Sequence, residues 1–227
     1  MDEEQEDPVG FHRDGADARP VQPRSSDPEL RAVLIESQQL GFLGPGPVDA
    51  HVQHAAGFVA IVGDAPEILD LGSGGGLPGL VLARALPSTK VVLLDAMERR
   101  CRFLERAVDQ LDLGDRVAVE CGRAEELARR TDLRGRFAAV VTRSFGAPAV
   151  TAECAAGFLR FPGGRLLVSE PPDGANRWLE EGLSTLSLRP AERRSGDGWT
   201  LQVLELVGEL YERYPRRTGV PAKRPLF

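Results

Sequence analysis

The 227-residue sequence has only three cysteines, three histidines, two tryptophans, two tyrosines and two methionines. No stretch approaches the roughly 20 apolar residues that cross a bilayer. Each shortage excludes something. Cys101, Cys121 and Cys154 are odd in number, widely spaced and without Cys-x-x-Cys or histidine partners, so neither a disulfide framework nor a zinc site is expected. They read as small core residues. His12, His51 and His54 precede the alternating pattern described below and read as surface or satisfied core groups. The start lacks the basic cluster and apolar run of a secretory signal. A cytoplasmic monomer without metal or membrane partner is expected.

Charge is unevenly placed. Residues 1 to 30 carry nine acids against three bases, which accounts for the whole net charge of −6. Residues 1–28 are also poor in large apolar side chains, so a disordered acidic tail is expected there. A helical extension over 29–65 follows, carried by Leu30, Val33 and Leu34, a break from Gly41 to Pro47, and then Val52, Ala55, Ala56 and Val59.

From Glu67 short apolar runs alternate with longer amphipathic ones. The spacing predicts strands at 67–71, 90–94, 116–119, 137–142 and 165–169, with helices between them, and a last antiparallel edge strand at 199–206. Strands separated by helices imply a parallel sheet with helices on both faces. A main domain over 66–210 and a basic tail over 211–227 complete the expected organisation.

In such sheets ligands bind beyond the C-terminal strand ends. The run Asp70-Leu-Gly-Ser-Gly-Gly-Gly76 sits there, with Gly72, Ser73, Gly74 and Gly76 shaping a turn that lets main chain approach a ligand. Gly74-Gly-Gly-Leu-Pro-Gly79 also satisfies the dinucleotide pattern, so the glycines choose poorly between cofactors. An acid ending each of the first two strands favours S-adenosylmethionine: Asp95 for the ribose hydroxyls and Asp70 for the cationic methionyl end. Asp95 would serve the ribose of NAD equally well.

Five linked stretches then come in order: Asp70 to Leu80, Leu93-Leu-Asp-Ala96 with Arg99-Arg100 and Phe103-Leu104, Gly122-Arg-Ala-Glu-Glu126, Thr142-Arg-Ser-Phe145, and the ending Arg213 to Leu226. Together they resemble the glucose-inhibited division protein B family of bacterial guanine-N7 methyltransferases of small-subunit ribosomal RNA. The resemblance implies a Rossmann-like class I S-adenosylmethionine-dependent methyltransferase: α/β, with a mostly parallel seven-stranded sheet, helices on both faces and a short N-terminal helical extension. It also implies cofactor contacts at Gly72, Leu77, Ala96, Ala124, Glu125 and Arg143, with Arg143 alternatively meeting phosphate. Small-subunit rRNA is the implied partner, and Arg213, Arg216, Arg217, Lys223 and Arg224, interleaved with Tyr211 and Tyr214, are candidates for its backbone.

The chain departs from the family pattern on the substrate side. It has no Asn-rich, Trp-containing segment among residues 30–60, and Ser169-Glu-Pro-Pro172 stands where the family places a Lys-Gly pair. An acid there repels phosphate, and Glu170 is the one proton acceptor near the expected pocket. A small molecule or protein as methyl acceptor, or a module that binds cofactor without turnover, are the alternatives.

Overall fold

The computed structural model describes residues 27–174 and 177–227. Most of the expected acidic tail, with His12, lies outside the described residues. Its expected boundary at residue 28 is corrected, because Asp27 caps the first helix: its carboxylate accepts from Leu30 N at 3.0 Å and pairs with Arg84 at 2.6 Å. Pro28 fits the first turn, where its missing N–H is no loss.

Helices α1 (Pro28–Gln39) and α2 (Val48–Val62) lead into the alternation β1 (Glu67–Leu71), α3 (Gly79–Ala85), β2 (Lys90–Asp95), α4 (Glu98–Gln110), β3 (Val117–Cys121), α5 (Ala124–Leu127), β4 (Ala139–Thr142), α6 (Pro148–Ala156) and β5 (Arg165–Ser169). Then follow α7 (Glu180–Ser184), β6 (Leu188–Gly196), β7 (Trp199–Leu206) and α8 (Val220–Lys223). The seven-stranded sheet runs β3-β2-β1-β4-β5-β7-β6; its first five strands are parallel, and β7 pairs antiparallel with both β5 and β6.

The core lies in two layers, and strand periodicity divides it. Ile68, Leu93, Val141 and Leu167 join the layer built with α1 to α4, whereas Leu69, Leu94, Val140 and Leu166 join the layer of α5 to α7. Central strands buried on both faces therefore read as continuous apolar runs.

Two expectations are corrected. Trp199–Leu206 is an inner strand, because β6 pairs outside it. β6 escaped prediction because Leu188-Arg-Pro-Ala-Glu-Arg-Arg-Ser-Gly196 is charged, carries Pro190 and has a register shift between Pro190 and Glu192. Those are devices of an exposed edge. Cys101 and Cys121 form a disulfide with a Cα–Cα distance of 5.8 Å. The parallel register sets Asp95 opposite Cys121, and α4 begins just after Asp95, so its first turn brings Cys101 back over the end of β3. Cys154 is a buried free thiol, as expected.

Sequence order reverses at β1, which lies between β2 and β4. The C-terminal crevice at that switch point is where a doubly wound sheet takes its ligand.

Candidate active site

The loop after β1 is pinned from both sides. Gly72 N and Ser73 N donate to Leu94 O at 2.8 and 2.9 Å, and the Ser73 hydroxyl donates to Asp70 O at 2.9 Å. Gly72 has φ +74°, and a Cβ there would stand 2.7 Å from the Phe145 ring. Only glycine satisfies both demands. Asp95 braces the same loop, accepting from Gly74 N through Oδ2 and from Met97 N through Oδ1, each at 2.9 Å, with the Arg100 guanidinium 3.6 Å away.

The helical extension folds over this loop. The Ser37 hydroxyl donates to Gly75 O at 3.0 Å, and Phe42 packs edge-on against Phe103 at 5.6 Å beneath the Arg99 guanidinium. A cavity of about 590 Å³ lies between the extension and the strand ends. Gly72, Ser73, Gly74, Leu77 and Arg143 line it, as the sequence predicts for a cofactor site. Gly75, Arg100, Phe42, His51 and His54 line it as well, and sequence reasoning missed them.

The structure gives the two described histidines a more specific place than the sequence does. His51 and His54 face the strand ends together from α2: His51 Nδ1 lies 3.3 Å from Arg143 Nη2, and His54 Nε2 lies 2.9 Å from Ser169 Oγ. Burial, helped by the charges of Arg143 and His51, pulls His54 down to about 4, so its ring is neutral near pH 7. Their i, i+3 spacing was the available signal; what it lacked was the side of the sheet that α2 covers.

Other candidates stand outside this lining. Asp70 is completely buried beneath the loop, its Oδ2 accepting from Gly79 N at 2.9 Å and its Oδ1 without a partner. Gly76 and Asp95 are buried, and Ala96 is exposed just past β2. Ala124 and Glu125 are buried at the start of α5, where Glu125 Oε1 accepts from Gly219 N at 2.9 Å. Burial pushes the Glu125 carboxyl up, but the Gly219 amide, its own amide and Arg123 outweigh it and hold it below the usual carboxylate range.

Burial raises Asp70 to about 7, against the Gly79 amide, Ser73 and Arg143, with Asp95 adding to the rise. Such a carboxyl ionises in the unfolded chain before it does in the folded one, so its stabilising share, full below pH 4, is lost as pH rises to about 7. Asp70→Asn should therefore raise stability at pH 8 by on the order of 2 kcal/mol and flatten that decline, while weakening S-adenosylmethionine binding. Urea denaturation across pH and calorimetric titration measure the two effects; a variant that is less stable at pH 8 contradicts the reading.

The cavity fits S-adenosylmethionine in its polar complement. Among the lining residues, Arg100 Nε and His54 Nδ1 are buried without a partner among the described residues, and an added Cβ at Gly74 would meet nothing nearer than 3.7 Å. Arg143 is largely buried, and burial pulls its guanidinium below the ordinary arginine value while Asp70 opposes the fall.

A second cavity, of about 700 Å³, adjoins the first at the ends of β4, β5 and β7. The two share His54, Ser144, Ser169 and Gly198. Phe145, Glu170, Trp178 and Trp199 line the second alone. Both tryptophans thus reach a cavity.

The basic tail packs on the domain through backbone and side-chain contacts. Gly219 meets Glu125, Thr218 Oγ1 donates to Glu126 Oε1 at 2.8 Å, and Arg134 donates to Tyr214 O at 2.9 Å. Arg216 is held by the fully buried Glu153 at 2.6 Å, which leaves it unsuited to a phosphate. Arg213, Arg217, Lys223 and Arg224 remain exposed, Arg213 lying over Tyr211 and Tyr214 at 5.2 and 5.1 Å. Among the described residues no group of three metal-ligating side chains occurs, and no helix is long and apolar enough to cross a membrane.

Solved structures share this fold. An O-methyltransferase from Bacillus cereus in complex with SAH matches 80% of the chain and 91% of its own at TM-score 0.58 and 19% identity. The O-methyltransferase TomG from Streptomyces achromogenes in complex with SAM matches the same shares at 0.55 and 18%. Sequence relatives are closer. Ribosomal RNA small subunit methyltransferase G from Thermotoga sp. (strain RQ2) is 38% identical over 167 residues, 70% of this chain and 72% of the relative. The protein of that name from Synechococcus sp. (strain RCC307) is 33% identical over 178 residues, 72% of each. Residues 48–170, which span the glycine loop, Asp95, Arg143 and both histidines of α2, match the GidB family model, rRNA small subunit methyltransferase G. By that match and those identities the chain belongs to the rRNA small subunit methyltransferase G family.

Proposed function

We propose that this chain methylates N7 of a guanine in small-subunit ribosomal RNA, with S-adenosylmethionine as methyl donor. The observation that carries the reading is the pair of adjoining cavities sharing His54, Ser144, Ser169 and Gly198, one beside the glycine loop and one open for an acceptor. The loop from Gly72 to Leu77, braced by Asp95, holds the adenosyl part. Arg143 complements the carboxylate of the methionyl part, with Asp70 supporting the loop from beneath, and Ala96, Ala124 and Glu125 bound the adenine side.

When bound, S-adenosylmethionine supplies an electrophilic methyl group: the N7 lone pair takes the methyl carbon as the C–S electron pair leaves with sulfur, and no proton is exchanged. The protein's task is therefore alignment within near-attack distance. The shared wall suits it. His54 is neutral and held by Ser169, so it adds no positive charge where positive charge moves onto the base. The exposed cations of the tail give the RNA backbone a salt-dependent, sequence-independent hold.

The test offers labelled cofactor and purified protein to deproteinised small-subunit rRNA, ribosomal protein and a small-molecule extract in parallel. Label is expected in the RNA. Label confined to either other fraction sinks the reading in favour of a different acceptor.

A further inference from the structure

We propose that Glu170 selects guanine by accepting from its Watson–Crick edge inside the second cavity. This rests on the reading of the chain as a guanine-N7 methyltransferase. Glu170 follows β5 directly, and its amide donates to Thr200 O at 2.9 Å, which ties the residue to β7. Its side chain is 2% exposed yet, among the described residues, makes a single hydrogen bond, Oε2 accepting from Arg177 Nη1 at 3.3 Å. A buried carboxylate has about four acceptor positions and no donor, so most of its capacity is left unused.

Among RNA bases only guanine presents two adjacent N–H donors, N1–H and the 2-amino group, on its Watson–Crick edge. Adenine and cytosine pair a donor with an acceptor there, and uracil flanks its one donor with acceptors. A carboxylate therefore accepts both guanine hydrogens and repels the ring acceptor of adenine or cytosine. N7 lies on the opposite edge. A base gripped at N1 and N2 thus keeps N7 free for the methyl group, whereas a grip on the N7 edge would block it.

The rest of the cavity agrees with a base turned out of its stack. Phe145 and Trp199 line it and give it an aromatic wall, the Trp199 ring itself lying against Gly57 and Gly196. Trp178 is buried, and its Nε1–H has no partner among the described residues, a spare donor in a cavity whose guest carries the acceptor O6. An acid disfavours phosphate, so Glu170 is a base contact and not a backbone contact.

The experiment locates the methylated guanine by mass spectrometry, then builds small-subunit rRNA with inosine at that one position by splinted ligation. Inosine keeps N7, O6 and N1–H and lacks the 2-amino group. For the full-length wild-type chain, kcat/KM should fall about 10-fold or more on the inosine RNA. Glu170→Gln and Glu170→Ala should lose about 10- to 100-fold on the guanine RNA and keep less than threefold preference for guanine. Their affinity for S-adenosylhomocysteine, by calorimetry, should stay within twofold of wild type. Equal use of both RNAs by the wild type overturns the proposal while leaving N7 methylation standing, as does a variant that retains the full preference. A wild type that forms no N7-methylguanine removes the parent reading and this proposal together.

Discussion

Arg216→Ala should lower the stability of the fold by about 3 kcal/mol, seen as a lower urea midpoint with unchanged slope. Arg216 donates to both oxygens of Glu153, through Nε at 2.8 Å and Nη2 at 2.6 Å, and its amide donates at 2.8 Å. Glu153 is fully buried in α6, whereas the Arg216 side chain is one-quarter exposed. Removing the cation leaves a buried carboxylate with only the amide bond. The partial exposure of Arg216 admits some water, which sets the figure at the lower end of what broken buried pairs cost. Joint replacement of both residues by methionine should recover most of the loss, since the penalty belongs to the orphaned charge. Arg217→Ala, at an exposed position, should stay within about 0.5 kcal/mol. A loss at Arg216 no larger than that would show the tail to be unconnected with the core. Truncation before residue 213 is accordingly expected to destabilise the chain as well as weaken RNA binding.

Gly72→Val should weaken S-adenosylmethionine binding by about 100-fold or more. A β-branched residue at φ +74° costs about 1 to 3 kcal/mol. The Cβ also drives into Phe145 on the wall of the second cavity, so the loop must shift. A control separates strain from site: Gly135 has φ +65° with nothing within 4 Å of an added Cβ. Gly135→Val should carry a similar loss of stability and leave cofactor affinity unchanged. If Gly72→Val binds S-adenosylmethionine within threefold of wild type by calorimetry, the glycine loop is not the cofactor cradle.

Much of this architecture was legible in residue order. Strands 67–71, 90–95 and 165–169 are buried on both faces, so their apolar runs carry the signal locally, and Gly72 with Asp95 follows from where those strands end. The edge strand 188–196 was illegible because charge and proline, which protect an edge from pairing further, are also the marks of a loop. The front wall of the cavity was illegible for another reason. His51 and His54 meet Arg143 and Ser169 from 92 and 115 residues away, and Ser37 reaches Gly75 across 38. Such contacts depend on which side of the sheet the extension covers, and no local period encodes that. The tail shows both limits: its cations were visible, but the partner of Arg216 lies 63 residues earlier, inside a helix with no other sign of accepting a charge.

The measurement that bears most directly on the central claim is nucleoside analysis of deproteinised small-subunit rRNA after incubation with the full-length chain and labelled S-adenosylmethionine. The account predicts label in N7-methylguanine, at one position and at no more than one methyl per RNA. Label in a different nucleoside, or cofactor binding with no label in RNA, would contradict it.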